Sequence, residues 1–483
     1  MFEQVQSYLL ERVVLLGSLF IGFMSCNQAP QEAEPLNVLM IAVDDLRPEL
    51  GCYGNQLIQT PNIDRLANEG IRFQNAYCNI PVCGASRASL LTGTRPTKFR
   101  YLRYDERADQ KYPEAIPISQ HFKDNGYRTI SNGKIFHTQD DHAQSWDENW
   151  RSQQNGAGWR DYLRPENKAL EAVEGQRGPA FEAVEVPDSA YNDGKLALKT
   201  IRDIQALKDS EKPFFLSVGF VKPHLPFNAP QKYWDLYDRS DFSPTEKDQW
   251  PSNAPKTAFH QFGELRNYHD IPKKGPVDDS TSVTLQHGYY AATSYADHLI
   301  GMVLDALDKS GLRENTVVVL WGDHGWNLGE HGLWAKHCNF NTSLQAPLII
   351  STPGYQQAIA PTTLVEFVDI YPTLANLCGL SIPETVEGNS LVPTLENPET
   401  HHKDFIISQF QKGITIKTER YAYTEWRGSE DEILSNMLFD HQNDPEEADN
   451  LAKQAQYAGL VDSLSNLLLT NRGAGYFVDT SLE

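Results

Sequence analysis

A cysteine followed one helical turn later by an arginine is the first candidate for chemistry in this sequence. Residues 81–93 read Pro-Val-Cys-Gly-Ala-Ser-Arg-Ala-Ser-Leu-Leu-Thr-Gly. The Ala-Ser-Leu-Leu run closed by threonine and glycine predicts a short helix, so Cys83 lies at or just before its N-terminus. Backbone N–H groups there favour negative charge, and Arg87 adds a fork that suits a tetrahedral oxyanion. Cys83 is therefore a candidate reactive or anion-binding group; a buried structural cysteine and a disulfide to Cys78 are the alternatives.

Two apolar runs end in residues that can bind a metal ion. Residues 36–43 stop at Asp44 and Asp45, and residues 317–321 lead through a glycine to Asp323 and His324. Such runs predict strands buried on both faces, and open α/β sheets bind ligands at the carboxyl ends of their strands. Adjacent carboxylates need a cation to stay ionised together. The sequence thus predicts a divalent-metal site, with a solvated turn as the alternative for Asp44 and Asp45.

Cations and imidazoles follow other predicted elements. Lys134 and His137 come after a short strand over residues 127–131, and His224 sits between two prolines after the apolar run 214–220. Lys336 ends a loop that follows Asp323. Each residue alone is typical of a protein surface. Together with the carboxylates and Cys83 they indicate one catalytic edge that combines cations with proton-transfer groups.

Length and charge limit the class of protein. A chain of 483 residues with 40% hydrophobic residues predicts a large α/β domain with a smaller companion. The formal charge of −22 excludes a general nucleic-acid or anionic-membrane binder, since its field repels polyanions. An anionic substrate must then be captured by local cations. Six irregularly spaced cysteines give neither a disulfide framework nor a CxxC zinc pattern.

The N-terminus predicts export. Residues 13–24 form an apolar run of signal-peptide length that is too short to span a bilayer comfortably. The run ends in Phe-Met-Ser-Cys, which resembles a bacterial lipobox with Cys26 as the lipidated residue. We expect a signal peptide over residues 1–26, a tether over 27–35, and a periplasmic or cell-surface lipoprotein whose only membrane attachment is at Cys26.

The rest of the chain divides into a catalytic domain over residues 36–390 and a smaller domain over 391–483. Residues 139–190 and 235–279 are polar and lack periodicity, as in insertions that shape a substrate mouth. A helix is expected over residues 282–310. Short alternating strands near residues 405, 413 and 421 predict an antiparallel sheet, followed by a helix over 446–469.

Five ordered motifs resemble the type I, formylglycine-dependent sulfatase family, and within it the branch of iduronate-2-sulfatase and its bacterial relatives. They are Asp-Asp-Leu-Arg-Pro-Glu-Leu-Gly-Cys-Tyr-Gly from Asp44, Cys-Gly-Ala-Ser-Arg from Cys83, Gly-Lys-Ile-Phe-His from Gly133, Lys-Pro-His-Leu-Pro-Phe from Lys222, and Asp-His-Gly-Trp-Asn-Leu-Gly-Glu-His-Gly from Asp323. The resemblance covers residues 36–452. It implies an alkaline-phosphatase-like mixed α/β sheet flanked by helices, with a smaller C-terminal antiparallel α+β subdomain.

The resemblance also implies that a maturase converts Cys83 to formylglycine, whose hydrate is the nucleophile. An aldehyde hydrate can expel sulfate by re-forming its carbonyl, whereas a thiolate that attacked sulfur would leave a persistent adduct. The maturation signature is usually Cys-x-Pro-x-Arg, and this chain has Ala85 at the proline position. Conversion therefore requires a maturase that accepts alanine.

The family assigns roles to the remaining motif residues. The resemblance implies one divalent ion, Ca²⁺, held by the metal ligands Asp44, Asp45, Cys83, Asp323 and His324. Many sulfatases have asparagine at the last of these positions. Sulfate oxygens would be neutralised by Arg87, Lys134 and Lys336. The resemblance makes His224 the acid for the leaving alcohol and His137 the base that triggers sulfate release.

The expected reaction is hydrolysis of a sulfate ester on an exported or extracellular sulfated carbohydrate, such as a 2-O-sulfated uronic acid. The alternatives are a phosphate or phosphonate monoester hydrolase of the same superfamily, and a non-catalytic glycan-binding protein if Cys83 is unmodified. Specificity should lie in residues 139–190 and 235–279. Lys98, Arg100 and Arg103 are candidates to hold a carboxylate or a second sulfate, with an exposed solvated patch as the alternative.

Overall fold

Buried apolar strands build a central sheet, and shorter strands and helices surround it. In chain order the strands are β1 (Asn37–Val43), β2 (Ile71–Phe73), β3 (Asn75–Tyr77), β4 (Arg128–Gly133), β5 (Glu148–Trp150), β6 (Phe181–Val184), β7 (Phe214–Phe220), β8 (Phe227–Pro230), β9 (Thr316–Gly322), β10 (Asn327–Leu328), β11 (Trp334–Ala335), β12 (Leu348–Ser351), β13 (Leu364–Glu366), β14 (Phe405–Phe410), β15 (Gly413–Thr418), β16 (Tyr421–Arg427) and β17 (Ile433–Asp440). The α-helices are α1 (Pro61–Asn68), α2 (Cys83–Thr92), α3 (Ala108–Lys111), α4 (Ile118–Asp124), α5 (Pro165–Glu171), α6 (Asn192–Leu207), α7 (Gln231–Trp234), α8 (Gly263–Arg266), α9 (Asp279–Ser310), α10 (Asn341–Leu344), α11 (Ile370–Leu377), α12 (Val392–Glu396) and α13 (Ala458–Asn471).

These elements come from a computed structural model, which describes residues 35–152, 156–244, 250–260, 263–355, 357–428 and 432–471. The lipobox-like segment with Cys26 lies outside the described residues, so export and lipidation stay predictions. Within the described ranges, no helix has the length and apolarity needed to cross a membrane.

The central sheet has seven strands in the order β2-β12-β9-β1-β7-β4-β5. The strand β1 pairs in parallel with both β7 and β9, and β4 pairs in parallel with β7 and β5. Only the β12 pairings, with β9 and β2, are antiparallel. The predicted mixed α/β sheet is confirmed, and the carboxyl ends of β1, β4, β7 and β9 meet at one edge.

Alternate residues of β1 explain why the sheet needs helices on both faces. Val38, Met40 and Ala42 pack in one apolar cluster with residues of α2, α4 and α11. Leu39 and Ile41 point to the other face, into a cluster with residues of α1, α6 and α9. A strand that is apolar at every position therefore buries both of its sides. Because the apolar side chains of β1 are fully buried, the end of the strand has a defined position, and so do the polar residues that follow it.

The C-terminal residues form an antiparallel sheet in the order β14-β15-β16-β17, with α13 packed on it. The predicted start of the last helix at residue 446 is wrong, because α13 begins at Ala458. The Asp444 carboxylate instead accepts hydrogen bonds from the N–H groups of Ala448 and Asp449, each at 2.9 Å, and Glu447 has a φ of 57°. The described residues from Leu36 to Asn471 form one compact unit, so the division at residue 390 stays a prediction.

Candidate active site

The strand ends bring the predicted metal ligands together beside Cys83. The Asp45 N–H donates to Asp323 Oδ1 at 3.0 Å, which joins the residue after β1 to the residue after β9. Cys83 Sγ lies 3.2 Å from His324 Nε2 and 3.7 Å from Asp45 Oδ1. Asp44, Asp45, Asp323 and His324 have no exposed surface, and Cys83 is 4% exposed. The sequence prediction of one catalytic edge therefore agrees with this geometry.

Cys83 is the first residue of α2, as its sequence predicts. The helix ends at Thr92, and Gly93 caps it with a left-handed φ of 68°. Gly84 is required beside Cys83, since a Cβ there would lie 2.0 Å from the carbonyl oxygen of Tyr104. No disulfide joins Cys83 to Cys78; both are free thiols, and Cys78 Sγ contacts the Ser343 carbonyl oxygen at 3.8 Å.

The environment of Cys83 disfavours a thiolate. Burial, reinforced by the nearby Asp44 carboxylate, raises the pKa of the Cys83 thiol well above its usual range, although Lys336 and Lys134 act in the opposite direction. Nucleophilic cysteines depend on a lowered pKa. The unmodified side chain is therefore a poor nucleophile, which argues against the reading of Cys83 as a reactive thiol.

Arg87 is enclosed by the active-site carboxylates and backbone. Its Nε donates to Asp323 Oδ2 at 2.9 Å, and its Nη2 donates to Asp44 Oδ1 at 3.2 Å. Its Nη1 donates to the carbonyl oxygens of Lys134 and Ile135. The side chain has no exposed surface and is absent from the cleft wall. Arg87 therefore orients the carboxylates, and its contact with sulfate oxygens stays a prediction.

Two lysines carry positive charge at the cleft surface. Lys134 Nζ pairs with Asp44 Oδ2, and Lys336 Nζ lies 2.8 Å from Asp45 Oδ1. Burial lowers the pKa of each amine, but the adjacent carboxylate outweighs it, so the pKa of both lysines is raised and both stay protonated. Both side chains line the cleft beside Cys83. They can therefore contact an anion at Cys83, as predicted.

Left-handed backbone conformations mark the Lys336 loop and the end of β1. Asp45, Ala335 and His337 have φ values of 61°, 68° and 72°. Residues with side chains adopt this region at a cost and do so mostly where the surrounding structure imposes it, often at functional sites. Two of these strained residues, Ala335 and His337, lie directly before and after Lys336.

His224 is held with one ring nitrogen facing the cleft. Its Nδ1 is 2.6 Å from the Leu225 carbonyl oxygen, so Nδ1 carries a proton and Nε2 is directed away from it. Nε2 lies 3.2 Å from Glu264 Oε1. Lys222 Nζ fixes the loop by donating to the carbonyl oxygens of His224 and Pro226 at 3.0 and 2.6 Å. His224 is therefore positioned to donate a proton from Nε2 when the ring is doubly protonated.

His137 lines the same cleft as a neutral imidazole. Burial, aided by the positive charge of Lys134, lowers the pKa of His137 to about 2. Its Nδ1 is buried without a hydrogen-bond partner among the described residues. A neutral ring with a free nitrogen can accept a proton, as the predicted base must.

The buried acids fit a divalent cation. Two groups of side chains, which share Cys83, could each hold a metal ion, because the ligand atoms within each group lie within 4.8 Å of one another. The first group is Asp44, Asp45, Cys83 and His224. The second group is Cys83, Asp323 and His324. Asp45 Oδ2 is buried without a hydrogen-bond partner in the described part of the chain. His324 donates Nδ1–H to the Gly325 carbonyl at 2.9 Å, which leaves the lone pair of Nε2 facing Cys83 Sγ at 3.2 Å and the Oδ1 atoms of Asp45 and Asp323 at 3.5 and 3.7 Å. A lone pair facing carboxylate oxygens calls for a proton or a metal ion.

The cleft has a volume of about 560 Å³, and both non-periodic segments contribute to its wall. Trp159 and Arg177 come from the first segment, and Glu264 and Asn267 from the second. This placement agrees with the expectation that these segments shape the substrate mouth.

The three predicted basic residues after α2 lie elsewhere. Arg100 pairs with Glu387, and the exposed Arg103 pairs with Asp105, so their charges are already matched by carboxylates. Lys98 Nζ lies over the ring of Phe99. None of the three lines the cleft, so they are not supported as ligands for a second anion.

Among the described residues that contact the catalytic groups, Glu264, Trp159 and Arg151 were not predicted from the sequence. Glu264 approaches both His224 and Lys336, the Trp159 ring meets the His224 ring edge-on with centroids 4.9 Å apart, and Arg151 donates to the carbonyl oxygen of His137 at 3.1 Å. Arg151 comes directly after β5, and the other two lie on segments without apolar periodicity. Their sequence contexts gave no signal that distinguishes them from surface residues.

Comparison with known proteins identifies this chain with the same family that its motifs resemble. The sulfatase family model matches residues 36–380, and a model described as the C-terminal part of N-sulphoglucosamine sulphohydrolase matches residues 329–473. Mouse iduronate 2-sulfatase is 31% identical over 93% of this chain and 97% of its own length. A sulfatase of Formosa agariphila is 31% identical over 94% of this chain and 91% of its own length.

Solved structures share the fold over nearly the whole chain. A phosphonate monoester hydrolase from Silicibacter pomeroyi superposes with a TM-score of 0.75 and 21% identity, covering 91% of this chain and 96% of that one. At this identity the likeness shows the alkaline-phosphatase-like architecture alone. The family match over most of the chain and the iduronate 2-sulfatase relatives carry the assignment further: this chain belongs to the sulfatase family and is a sulfuric ester hydrolase.

Proposed function

We propose that the substrate is a sulfated carbohydrate with a 2-O-sulfated uronic acid or a similar unit, and that the nucleophile derives from Cys83. The observation that carries the proposal is the convergence of Lys134, Lys336 and His224 on Cys83 in one cleft. The relatedness to iduronate 2-sulfatase, over nearly the whole of both chains, supports the substrate class. The leader-like segment before residue 36 supports an exported protein that acts on an extracellular glycan.

Conversion of Cys83 to formylglycine supplies a hydrated aldehyde, which offers a hydroxyl nucleophile and a carbonyl that re-forms when sulfate leaves. Lys134 and Lys336 hold the sulfate oxygens and stabilise the charge that grows on them as the ester bond breaks. Arg87 keeps Asp44 and Asp323 in fixed positions, so the cluster needs little rearrangement during the reaction. Ala85, which has no exposed surface, packs in the core beneath the site.

The two imidazoles divide the proton transfers between them. His224 gives the proton on Nε2 to the oxygen of the departing alcohol, because a sugar alkoxide is too basic to leave unprotonated. His137, neutral in its buried position, accepts the proton that must be removed for sulfate to depart. Glu264 Oε1, 3.2 Å from His224 Nε2, holds the ring in place for the first step.

We assign the cation site to Ca²⁺, with Asp44, Asp45, Asp323 and His324 as ligands next to the Cys83 side chain. Carboxylate oxygens are the ligands that hard cations prefer, and an imidazole is the less usual member of this set. The bound ion would polarise a sulfate oxygen and offset the excess of negative charge in the cluster.

The experiment that tests the proposed function compares matched nitrophenyl esters. The enzyme, produced with its native maturation system, should hydrolyse nitrophenyl sulfate with a higher kcat/KM than nitrophenyl phosphate or a phosphonate monoester. A 2-O-sulfated uronic acid disaccharide should be desulfated faster than its 6-O-sulfated isomer. Faster phosphate or phosphonate turnover would contradict the proposal, and binding of sulfated glycans without turnover would indicate a glycan-binding protein.

The role of His224 predicts a dependence on the leaving group. In H224A, kcat/KM for a sugar sulfate should fall by about 10²–10⁴, because its alcohol needs a proton to leave. The loss on nitrophenyl sulfate should be far smaller, since nitrophenolate is a stable anion. H298A, which removes an exposed histidine near Asp188, is the matched control and should behave as wild type on both esters. Equal losses on the two esters would contradict an acid role.

The cation site predicts stabilisation by calcium that depends on Asp45. Adding Ca²⁺ to chelator-treated protein should raise Tm, with about 2.7 kcal/mol of added stability at a hundredfold excess over Kd. D45N should lose most of this shift, whereas D105N, at an exposed carboxylate paired with Arg103, should retain it. Unchanged Tm in wild type, an undiminished shift in D45N, or stronger stabilisation by Mg²⁺ would each contradict the assignment.

A further inference from the structure

Arg177 lines the cleft and has no acidic partner in the part of the chain that the structure describes. Its guanidinium lies over the rings of Trp159 and Tyr268, 5.9 and 5.4 Å from their centroids. Among the described residues, no carboxylate oxygen comes within 4.0 Å of its side-chain nitrogens. The neighbouring Arg160 differs, because it is paired with Glu171. Arg177 is thus free to bind an anion that the protein itself does not supply.

The backbone around Arg177 is held in place from two sides. The Gly178 N–H donates to Glu171 Oε2 at 3.1 Å, and the His269 N–H donates to the Gly178 carbonyl oxygen at 3.1 Å. A Cβ at Gly178 would lie 2.5 Å from the Tyr162 ring, so the chain packs closely there. These contacts join the two non-periodic segments and present Arg177 at a defined position. A guanidinium on a fixed backbone loses less entropy when it binds a ligand than one on a free loop.

Arg177 lies on the same side of the cleft as His224. The Trp159 ring contacts both the Arg177 guanidinium and the His224 ring, so Trp159 links the two. His224 is the proposed acid for the leaving alcohol. Groups on the sugar beyond the ester oxygen therefore extend past His224 toward Trp159 and Arg177. A cation placed there contacts the sugar and not the sulfate that is being hydrolysed.

We propose that Arg177, supported by Trp159 and Tyr268, forms a second anion subsite that binds a carboxylate or a further sulfate on the sugar of the substrate. This inference rests on the proposed function and specifies which sulfate esters are preferred: those whose sugar carries another negative charge. Stacking on two aromatic rings leaves the planar fork of Arg177 free to make paired hydrogen bonds to such a group. A local cation is needed for this because the protein as a whole carries a formal charge of −22.

The test compares R177Q and R177K with wild type on three disaccharides that share one hydrolysable sulfate. The first bears a uronate carboxylate, the second has that carboxyl reduced to an alcohol, and the third is the reduced form with one extra sulfate. R103Q is the matched control, because Arg103 is exposed, paired with Asp105 and outside the cleft. Nitrophenyl sulfate has no sugar and no second anionic group, so its hydrolysis depends on the reaction centre and not on the proposed subsite.

R177Q should raise KM about tenfold or more for a disaccharide with a second anion, with kcat little changed. It should leave the reduced disaccharide and nitrophenyl sulfate unaffected, and R177K should lie between R177Q and wild type. A loss confined to the first disaccharide identifies the ligand as the carboxylate, and one confined to the third identifies it as the sulfate. No loss on either, or an equal loss on nitrophenyl sulfate, would overturn the subsite.

A direct binding measurement separates this inference from the proposed function. If wild type hydrolyses none of the sulfate esters, the proposed function fails. Calorimetric titration then still tests Arg177 with two ligands, an unsulfated uronic acid disaccharide and its carboxyl-reduced form that carries only the extra sulfate. Weaker binding of either ligand to R177Q than to wild type and R103Q supports the subsite. Equal binding of both ligands to all three proteins, or no binding of either ligand to any of them, overturns it.

Discussion

The buried guanidinium of Arg87 is the interaction on which the active site depends. It contacts Asp44 after β1 and Asp323 after β9, and it also binds the carbonyl oxygens of the loop that carries Lys134. One side chain thus fixes the segments that follow three strands of the sheet, β1, β9 and β4. Leaving such a group without its partners costs about 3–5 kcal/mol, because an unpaired buried charge remains. Arg87 is therefore a structural centre of the site even though it does not face the cleft.

The buried charges of the cluster suit it to bind both a cation and an anion. Lys134 pairs with Asp44, Lys336 pairs with Asp45 and Glu264, and Arg87 pairs with Asp44 and Asp323. The pKa of Asp45 is nevertheless raised, because burial, with Asp44 adding to it, outweighs the nearby His224 and Lys336. A divalent cation beside Asp45 would offset its negative charge, and Lys134 and Lys336 at the cleft surface would attract a sulfate monoester.

The sequence predicts those parts of this site that buried strands position. Asp45 and His324 could be placed because uninterrupted apolar runs reveal where interior strands end, and Cys83 because a glycine-capped helix follows it. Glu264 and Trp159 could not, since their segments pack through hydrogen bonds and isolated aromatic contacts that leave no periodic pattern. The direction of the Arg87 side chain was also beyond prediction, because a position on α2 does not say whether a carboxylate or the cleft receives the guanidinium. In the C-terminal sheet, β14 to β16 show alternation, whereas the helix boundary depends on turns at Asp444 and Glu447.

In the proposed reaction Cys83 is the precursor of an aldehyde nucleophile and does not act as a thiol. Mass spectrometry of the peptide that contains Cys83, taken from active protein made in its native host, tests this without an assay of the substrate. We expect the mass of the formylglycine form, in a proportion that rises and falls with sulfatase activity across preparations. Full activity in protein whose peptide carries only unmodified cysteine would contradict it.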